Sequence, residues 1–507
     1  MYAIVNSQEM KTYDNNTITH FGVPSLVLME RAAIACVEVM EKRISYGAQV
    51  LVVAGVGNNG GDGIAIGRIL YLKGYWVEIV VIGNREKMSE ETKIQESIAK
   101  QYGVRFVDEI PDKTYDAVVD SLFGIGLNRE VEGVYREAID DLRLRDEFIL
   151  AVDIPSGINA DTGEVMGRAV IADCTVAFAF KKLGHVLYPG TEYTGEVIVS
   201  DIGITQKSFL EAKPEACGMA KEDIAGLLAT REKRSNKGSY GRVVVVAGGV
   251  NMAGAAYFAG LAAYRGGAGL VEIVTCEENR TILQEKLPAA VLTTYTDNYI
   301  EVLEGALKRA TAIVAGPGMG INERTEQMTQ YIIANARVPL ILDADSLNVL
   351  ANHIEWLWPK RNLLVLTPHL RELARILGKE TKQVVSNYVE EARAFAAKYG
   401  VVVVAKDVRT VVAKPDKKYY INEYGNSGMA VGGSGDTLAG LIGALVAQKA
   451  NPYLSTVAAV AIHSMAGDKA AAAVGEDSLM PDDILDAIPQ VFKELRETKT
   501  PPFQLRW

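Results

Sequence analysis

Residues 52–63 read VVAGVGNNGGDG, and this stretch decides the fold of the first half of the chain. Gly55, Gly57 and Gly60 have the spacing G-x-G-x-x-G and directly follow an apolar run, Val50–Ala54. The pattern predicts a buried strand, a tight turn and a helix whose N-terminal N–H groups face a phosphate. A nucleotide site is therefore expected here, and the rest of the sequence has to show which chemistry it serves.

A dinucleotide-dependent dehydrogenase is the first alternative for such a turn. That class needs an acidic residue about 20 positions further on, at the end of the second strand, to bind the ribose hydroxyls. The second strand here lies within WVEIVVIGN, where Glu78 is internal and Gly83 and Asn84 stand at the end. The missing acid argues against hydride transfer.

The turn carries three polar side chains that a phosphate cradle does not need, Asn58, Asn59 and Asp62. Because backbone N–H groups suffice for a phosphate, these side chains indicate a bound cation or a polar ring. The alternative is an ordinary strand-to-helix turn, with asparagines in left-handed conformations and Asp62 capping the helix.

Two later segments, DSLFGIGLNREVEG and DIPSGINADTGEV, begin at Asp120 and Asp153, directly after predicted strands. The carboxyl ends of parallel strands meet at one edge of a sheet, so we expect these loops to converge with the first turn. The oxygens of Asn59, Asp120 and Ser156 suit a hard monovalent cation. Asp153 is left as an acid/base group.

Length and composition restrict the class of protein. The 507 residues predict two to four domains, and 49% hydrophobic with 23% charged residues is the balance of a globular enzyme. The net charge of −10 disfavours a nucleic-acid partner. Four widely spaced cysteines indicate reduced thiols in a cytoplasmic protein. The N-terminus lacks a signal-peptide pattern, and the longest apolar stretch, Leu438–Ala447, is about half a membrane span, so we expect no membrane partner.

Short β-branched runs alternate with helical patterns, which predicts parallel sheets covered by helices on both faces. The alternation lapses around residues 204–240, where we place the boundary between a domain of residues 1–215 and a domain of residues 225–507. The predicted strands are 50–54, 76–82, 117–120, 149–153, 174–178, 197–199, 243–247, 270–275, 312–315, 340–343, 363–366 and 401–405. The predicted helices include 63–73 and 90–101, and the Ala- and Gly-rich stretch 435–474 predicts closely packed helices.

The decisive motif of the second half is NSGMAVGGSGDTLAG, residues 426–440. Gly432, Gly433 and Gly435 precede a predicted helix, and the free N–H groups of that turn form an anion hole. A carboxylate would be repelled by a phosphate that it merely bound. Asp436 is therefore better explained as the base that takes a proton from a hydroxyl attacking that phosphate, with a helix cap as the alternative.

Three shorter motifs follow predicted strands of the second half. AKDVRTVVA offers Lys406 and Thr410 for nucleotide contact, LTPHLRELARIL places His369 and Glu372 at a strand end, and AGPGMG is a glycine turn. Each motif is weak alone, since a single histidine at a strand end is more often structural.

The motifs of the first half, GVPSLVLMERAA, GVGNNGGDG, DSLFGIGLNREVEG and VDIPSGINADTGEV, occur in an order that resembles the epimerase domain of bifunctional NAD(P)H-hydrate repair enzymes. The resemblance implies a Rossmann-like α/β/α domain with K⁺ at Asn59, Asp120 and Ser156, and with Asp153 at the reacting carbon. The contacts that it implies for the hydrated dinucleotide are Asn58, Asn59, Gly60, Gly61, Asp62, Gly124, Ile125, Gly126, Leu127, Asn128, Arg129, Glu130, Tyr135 and Asp153.

The motifs of the second half resemble the dehydratase domain of the same family, which has the ribokinase-like fold. The resemblance implies that Asp436 activates the hydroxyl of the hydrate, with ADP and Mg²⁺ as co-reactants and AMP and phosphate as products. The implied substrate contacts are Gly318, His369, Leu370, Arg371, Glu372, Leu373, Ala374, Arg375 and Asp436. The implied nucleotide contacts are Lys406, Asp407, Val408, Arg409, Thr410, Asn426, Ser427, Gly428, Met429, Ala430, Val431, Gly432, Gly433, Ser434 and Gly435.

The predicted protein is therefore two tandem α/β/α domains that repair hydrated NADH and NADPH, an isomerase and a lyase in one chain. We expect a cytoplasmic homo-oligomer with these hydrates and ADP as its ligands. Protonating the hydroxyl beside the ring nitrogen lets the nitrogen expel water, which returns to either face; Lys182 is a second candidate beside Asp153. Two alternatives stay open, namely a sugar or vitamin kinase fused to a ligand-sensing domain, and a scaffold that binds nucleotide without turnover.

Overall fold

The structure, a computed structural model, describes residues 1–358, 363–448 and 451–498. These residues form two compact units, one of Tyr2–Glu215 and one of Met1 together with the chain from Ala216 onward. We call them the N-terminal and the C-terminal unit. The end of the predicted second domain, residues 499–507, lies outside the described residues, as do residues 359–362 and 449–450.

The N-terminal unit contains nine strands and six α-helices among its described residues. The strands are β1 (Tyr2–Val5), β2 (Gln49–Ala54), β3 (Trp76–Val81), β4 (Arg105–Val107), β5 (Ala117–Ser121), β6 (Phe148–Val152), β7 (Cys174–Phe178), β8 (Lys181–Lys182) and β9 (Glu196–Ser200). The helices are α1 (Ser7–Thr19), α2 (Ser25–Met40), α3 (Asn58–Leu72), α4 (Glu90–Gln101), α5 (Val134–Leu142) and α6 (Leu183–Val186).

Seven of these strands form one parallel sheet in the order β4-β3-β2-β5-β6-β7-β9, while β1 pairs with β8. Strands β2, β5 and β6 consist almost entirely of buried side chains, as expected for a sheet covered on both faces. The chain runs outward in opposite directions from β2 and β5. A crevice is expected outside the carboxyl ends of these two strands.

The glycines of the first motif let backbone segments approach one another at this point. A Cβ atom added to Gly55 would lie 2.1 Å from the carbonyl oxygen of Leu122, and one added to Gly60 would lie 1.9 Å from the carbonyl oxygen of Gly55. Gly57 has open space around the same position. Gly55 and Gly60 therefore fix the turn by packing, and Gly57 leaves room in front of it.

The C-terminal unit has ten strands and twelve α-helices among its described residues. The strands are β10 (Ala216–Gly218), β11 (Arg242–Val246), β12 (Leu270–Cys276), β13 (Val291–Tyr295), β14 (Ala312–Ala315), β15 (Leu340–Leu342), β16 (Leu364–Leu366), β17 (Val402–Ala405), β18 (Val411–Ala413) and β19 (Tyr419–Ile421). The helices are α7 (Lys221–Leu227), α8 (Ala253–Arg265), α9 (Arg280–Lys286), α10 (Tyr299–Leu307), α11 (Glu323–Asn335), α12 (Ala344–Leu350), α13 (Leu370–Leu377), α14 (Thr381–Val385), α15 (Tyr388–Tyr399), α16 (Ser434–Ala447), α17 (Pro452–Val474) and α18 (Pro481–Glu497).

The strands of this unit follow the order β13-β12-β11-β14-β15-β16-β17-β18-β19-β10. The pairs from β13 to β17 are parallel, and β18 is antiparallel to both of its neighbours. The order reverses between β11 and β14, so a second crevice is expected at their carboxyl ends. Both predicted sheets are thus present as parallel α/β architecture.

Helices α16 and α17 form the centre of the core of the C-terminal unit. A Cβ atom on Gly440 would lie 2.0 Å from the carbonyl oxygen of Ala259, so α16 and α8 pack with their backbones close together. Within the described residues, α17 is the one helix long and apolar enough to cross a membrane. Of its apolar window, 67% is buried in the structure, as in a core helix.

All twelve predicted strands are present, and no predicted end differs from the observed end by more than one residue. The start of α3 was predicted wrongly, because the helix begins at Asn58 and not at Gly63. Asparagine and glycine have low intrinsic helix propensity. The close packing of Gly60 against the backbone of Gly55 nevertheless holds these residues in the first turn of α3. The antiparallel strands β18 and β19 were missed because each has only three residues.

Substituting Gly60 with alanine should destabilise the N-terminal unit, since the new methyl group meets a backbone carbonyl that cannot rotate away. We expect a loss of at least ~1–3 kcal/mol, which is typical of overpacking. Calorimetric unfolding of the full chain measures it, and Gly57→Ala is the matched control with an expected change within ~0.5 kcal/mol. Equal melting of the two variants would contradict the packing role of Gly60.

Candidate active sites

A cleft of about 1180 Å³ lies at the carboxyl ends of the strands of the N-terminal unit. We call it the N-terminal cleft. The loops after β2, β3, β5 and β6 line it, together with residues of α1. Its position is that expected from the reversal of strand order.

The cleft brings together most of the residues predicted for the first site. Gly60 and Gly61 do not line it, because their Cα atoms face Gly55 and Met29 in the interior. Asp120 and Ser156 are fully buried behind its wall. The predicted residues that line it are Asn58, Asn59, Asp62, Gly124, Ile125, Gly126, Leu127, Asn128, Arg129, Glu130, Tyr135 and Asp153.

Two of the three predicted cation ligands, Asn59 and Ser156, contact the backbone of Phe123, and the third, Asp120, contacts Ser156. The side-chain amide of Asn59 donates to the carbonyl oxygen of Phe123 at 3.0 Å, and the N–H of Phe123 donates to the hydroxyl of Ser156 at 2.9 Å. Asp120 accepts hydrogen bonds from the N–H of Ser156 at 2.8 Å and from its hydroxyl at 2.5 Å. Burial raises the pKa of Asp120 to about 6, since its donors are all neutral. A monovalent cation would offset the cost of burying this carboxylate.

Asp153 directly follows β6 and has a left-handed backbone conformation, with φ of 66°. Its Oδ1 accepts a hydrogen bond from the N–H of Phe178 at 2.9 Å and forms an ion pair with the ammonium group of Lys182. The Lys182 side chain is fully buried and also donates to the carbonyl oxygen of Phe178 at 3.0 Å. Lys182 is therefore an internal counterion of Asp153.

Two further aspartates line the same cleft as Asp153. Asp14 of α1 was missed by sequence analysis, and Asp62 was predicted only as a substrate contact. Neither group has a hydrogen-bond or ion-pair partner among the described residues. Burial raises the pKa of Asp62 well above its usual value, and the negative charges of Asp153 and Asp14 raise it further. The pKa of Asp14 is raised for the same reasons, burial first and Asp153 second.

Other lining residues that were not predicted as contacts include Lys11, Gly83, Asn84 and Lys87. Gly83 has φ of 107°, and a Cβ atom there would lie 2.0 Å from the hydroxyl oxygen of Tyr135. Gly83 and Asn84 were noticed at a strand end but were used only to exclude a dehydrogenase. Residues of α1 carry no motif, so no signal in the sequence points to them.

The second candidate site lies at the carboxyl ends of β15, β16 and β17. The ammonium group of Lys406 donates to Oδ1 of Asp343 at 2.8 Å, and the hydroxyl of Thr367 donates to the same oxygen at 2.7 Å. Asp343 is almost fully buried. We call Asp343, Glu372, Lys406, Gly435 and Asp436 the C-terminal site.

The glycine turn before α16 forms one wall of the C-terminal site. Gly433 has φ of 100° and precedes the first residue of the helix, Ser434. Asp436 lies in the first turn, where free N–H groups attract anions. Burial raises the pKa of Asp436 to about 7; the negative charge of Asp343 adds to the shift, and the positive charge of Lys406 opposes it. A group with this pKa can accept a proton near neutral pH.

His369 caps the N-terminus of α13. Its Nδ1 accepts hydrogen bonds from the N–H groups of Arg371 and Glu372, and Glu372 in return accepts from the N–H of His369 at 2.9 Å. Burial and the nearby positive charge of Lys406 lower the pKa of His369, so its cap is the neutral ring. Burial raises the pKa of Glu372 to about 7.

A loop from Asn426 to Gly433 faces the start of α16 and is anchored from α17. Asp468 of α17 accepts hydrogen bonds from the N–H of Gly425 and from the side-chain amide of Asn426, both at 2.9 Å. Asn426 in turn accepts from the N–H of Gly428 at 3.1 Å. Side chains thus order a loop that exposes backbone N–H groups.

The remaining residues predicted for the second site divide by exposure. Leu370, Leu373 and Ala374 are buried in α13, while Arg371 and Val408 are exposed. Gly318 follows β14 with φ of 59°, beside Met252 and Ala255. Residues predicted for nucleotide contact after β17 are Lys406, Asp407, Val408, Arg409 and Thr410, where Arg409 donates to the carbonyl oxygen of Glu423 at 2.8 Å and Thr410 donates to that of Asp407 at 3.1 Å.

Sequence analysis missed Asp343 and Asp345. They lie in the segment DADSLN after β15, and Asp345 accepts a hydrogen bond from the N–H of Gly320 at 2.7 Å. The pattern of acidic residues at a strand end, which singled out Asp120 and Asp153, was available here as well.

Comparison with known families assigns each unit separately. Residues 25–184 match the model of the YjeF-related protein N-terminus. Residues 243–490 match the model described as NAD(P)H-hydrate dehydratase.

Curated relatives match the chain along nearly its whole length. The bifunctional NAD(P)H-hydrate repair enzyme of Moorella thermoacetica is 32% identical over 97% of this chain and 97% of its own length. The enzyme of the same name from Thermofilum pendens is 33% identical with the same coverage. Among solved structures, a ribokinase-like superfamily protein from Enterococcus faecalis is 27% identical, covers 56% of this chain and 98% of its own length, and has a TM-score of 0.51.

The Asp153–Lys182 pair gives a stability prediction. Lys182→Met should destabilise the protein by ~3–5 kcal/mol, because it leaves an uncompensated carboxylate in the interior. The double variant Lys182→Met, Asp153→Asn should recover much of that loss, since no charge remains unpaired. Denaturant unfolding of the wild type, both single variants and the double variant measures the coupling. Strictly additive losses would contradict a direct ion pair.

Proposed function

The chain belongs to the family of bifunctional NAD(P)H-hydrate repair enzymes, and we propose from this premise that it restores hydrated NADH and NADPH in two steps. Residues 1–215 interconvert the R and S hydrates, and residues 225–507 dehydrate the S hydrate at the expense of ADP. The observation that supports this best is the placement of Asp436 in a glycine turn beside Lys406, at the edge of a ribokinase-like sheet.

The dehydration uses the C-terminal site as follows. Asp436 takes the proton of the hydrate's hydroxyl, whose oxygen attacks the terminal phosphate of ADP and releases AMP. N–H groups at the start of α16 and the ammonium of Lys406 stabilise the negative charge of the transferring group. The ring nitrogen then expels phosphate, and loss of a proton from the adjacent carbon restores the dihydropyridine ring. The negative field of Asp343 keeps Asp436 basic enough to act.

The Mg²⁺ predicted with ADP would be held mainly by phosphate oxygens. Mg²⁺ commonly binds through substrate phosphates and one or two carboxylates, not through a cage of protein ligands. The described residues contain no cluster of three His, Cys, Asp or Glu side chains able to hold a metal alone. The donor set therefore fits a cation that arrives with the nucleotide and neutralises its charge.

K⁺ fits the group formed by Asn59, Asp120, Phe123 and Ser156 in the N-terminal unit. Amide, carboxylate, carbonyl and hydroxyl oxygens are ligands for a hard cation, and the buried carboxylate of Asp120 supplies the charge. Bound there, K⁺ would order the loop of residues 122–128 that lines the cleft.

A small-molecule kinase fused to a non-catalytic nucleotide-binding domain is the second candidate function. The fold of the C-terminal unit favours it, because phosphoryl transfer to any hydroxyl would use the same turn. The two functions differ in product, since a kinase leaves a stable phosphoester while the dehydratase releases phosphate and restores absorbance of the dihydropyridine ring. Incubating the protein with mixed hydrate epimers and ADP, and then with ATP, tests both functions.

The homo-oligomeric state and the cytoplasmic location stay predictions from the sequence.

Dehydration should depend on the charge of Asp436. Because a base must be deprotonated to act, kcat/KM should rise with pH through about 7, the pKa of Asp436 in the free protein. Asp436→Asn should lower the rate by about 10²–10⁴-fold with little change in nucleotide binding. The exposed Asp477→Asn is the matched control and should behave as wild type. Near-normal turnover of Asp436→Asn would exclude its role as the base.

Epimerisation should depend on K⁺. We expect a higher rate in potassium chloride than in an equal concentration of tetramethylammonium chloride, since the bulky cation cannot enter the site. Asp120→Asn should weaken the apparent K⁺ affinity by at least about tenfold. The exposed Asp146→Asn is the control for charge alone, and dehydration of pure S hydrate by the same variants is the control for folding. Identical rates in both salts would remove the support for a cation site.

A further inference from the structure

The three aspartates of the N-terminal cleft differ in their surroundings. Asp14, Asp62 and Asp153 all line it, on α1, on α3 and after β6. One of them is paired with a cation and two are not. When neighbouring carboxyl groups differ in this way, they usually take different roles in acid/base chemistry.

Asp153 makes the contacts of a carboxylate. Its Oδ1 accepts both the ammonium of Lys182 and the N–H of Phe178, and its backbone carbonyl lies 2.8 Å from Nε2 of His185. Lys182 and His185 are buried, and His185 stays neutral because burial and the charge of Lys182 lower its pKa to about 3. Oδ1 therefore accepts from two donors, one of them cationic, and is not the oxygen that would donate to a leaving hydroxyl.

Asp62 makes none of these contacts. It lies in the second turn of α3, and among the described residues it has neither an ion-pair partner nor a hydrogen-bond donor. The charges nearest to it are negative, from Asp153 and Asp14. The thiol of Cys36 on α2 brings no charge to this region, because burial raises its pKa well above the usual value. Lys11, Lys87 and Arg129 line the cleft, and among the described residues none of them forms an ion pair with Asp62.

We propose that Asp62 is the catalytic acid of the epimerisation and that the Asp153–Lys182 pair keeps a fixed carboxylate beneath the cation that forms in the substrate ring. The assignment rests on the proposed function of the cleft. It differs from the sequence-based expectation, in which Asp153 is the acid/base group and Lys182 is a second candidate.

The proposed step balances within the cleft. Asp62 gives its proton to the hydroxyl on the carbon beside the ring nitrogen, the carbon–oxygen bond breaks, and water leaves. The nitrogen lone pair forms the carbon–nitrogen double bond, so the ring becomes a cation that the carboxylate of Asp153 stabilises. Water then adds from either face and returns its proton to Asp62.

The two roles give different pH behaviour. An acid must be protonated, so the rate of epimerisation should fall as the pH rises through the raised pKa of Asp62. Removing the negative charge of Asp14 should lower that pKa and move the descending limb to lower pH. Lys182→Met should lower the rate at every pH, because it removes the cation that is paired with the carboxylate of Asp153.

The experiment follows loss of the hydroxyl directly. Full-length wild type, Asp62→Asn, Asp62→Glu and Asp14→Asn are incubated with S hydrate in ¹⁸O-labelled water and KCl without nucleotide, and mass spectrometry measures incorporation of ¹⁸O. Asp62→Asn should lose at least about 100-fold of the incorporation rate, since a positioned acid contributes that much. Asp62→Glu keeps a carboxyl group and should restore a descending pH limb. Asp14→Asn should retain incorporation at low pH.

Two controls separate catalysis from folding. ADP-driven dehydration of S hydrate by the C-terminal site should be unchanged in all variants, and the exposed Asp146→Asn should match wild type in both assays. The proposal would be overturned if Asp62→Asn incorporated ¹⁸O at a rate within tenfold of wild type. It would also be overturned if Asp14→Asn, and not Asp62→Asn, lost the incorporation. A wild-type protein that incorporates no ¹⁸O above the rate in solution would instead reject the epimerase function.

Discussion

The hydrogen bond from the N–H of Gly55 to the carbonyl oxygen of Ser121, 3.0 Å long, joins the ends of two strands whose chains then separate. Everything in the N-terminal cleft depends on this junction, because the loops that diverge from it form the two walls. Side chains larger than hydrogen at Gly55 or Gly60 would force the walls apart. The C-terminal unit repeats the arrangement where Gly316 donates to the carbonyl oxygen of Val246 at 3.1 Å, between β14 and β11. In the N-terminal unit the site follows from the strand order, whereas the C-terminal site lies further along its sheet, at the ends of β15, β16 and β17.

Much of the fold could be predicted because the strands are buried on both faces and therefore read as continuous apolar runs. The ends of these runs also identified Asp120, Asp153 and Lys406 as candidate site residues, because a polar residue at the end of a buried strand lies at the edge of the sheet. The start of α3 could not be predicted from propensity, because tertiary packing of Gly60 overrides the preference of glycine and asparagine for turns.

A residue that joins a site from a distant part of the chain cannot be identified from the ends of predicted strands. Asp14 lies on a short amphipathic helix near the N-terminus, and only the tertiary fold brings it to Asp62. Partnership is equally invisible in a sequence, because FAFKKLGH does not show that Lys182 is buried or that Asp153 is its counterion. Asp343 is a different case, since its acidic segment after β15 had the same signal as Asp120 and was passed over.

The two sites treat the same hydroxyl group in opposite ways, and the charges around each carboxyl group explain how. In the proposed epimerisation the hydroxyl leaves as water, which requires a proton donor, and burial together with the negative charges of Asp153 and Asp14 raises the pKa of Asp62. In the C-terminal site the hydroxyl has to attack a phosphate, so a base is needed near neutral pH. There burial and Asp343 raise the pKa of Asp436, while Lys406 limits the rise to about 7. One lysine pairs with an aspartate in each unit: Lys182 pairs with Asp153, and Lys406 pairs with Asp343 and limits the rise in the pKa of Asp436. In the proposed mechanisms, one lysine and a few aspartates therefore give an acid in one unit and a base in the other, depending on which carboxyl group the lysine contacts.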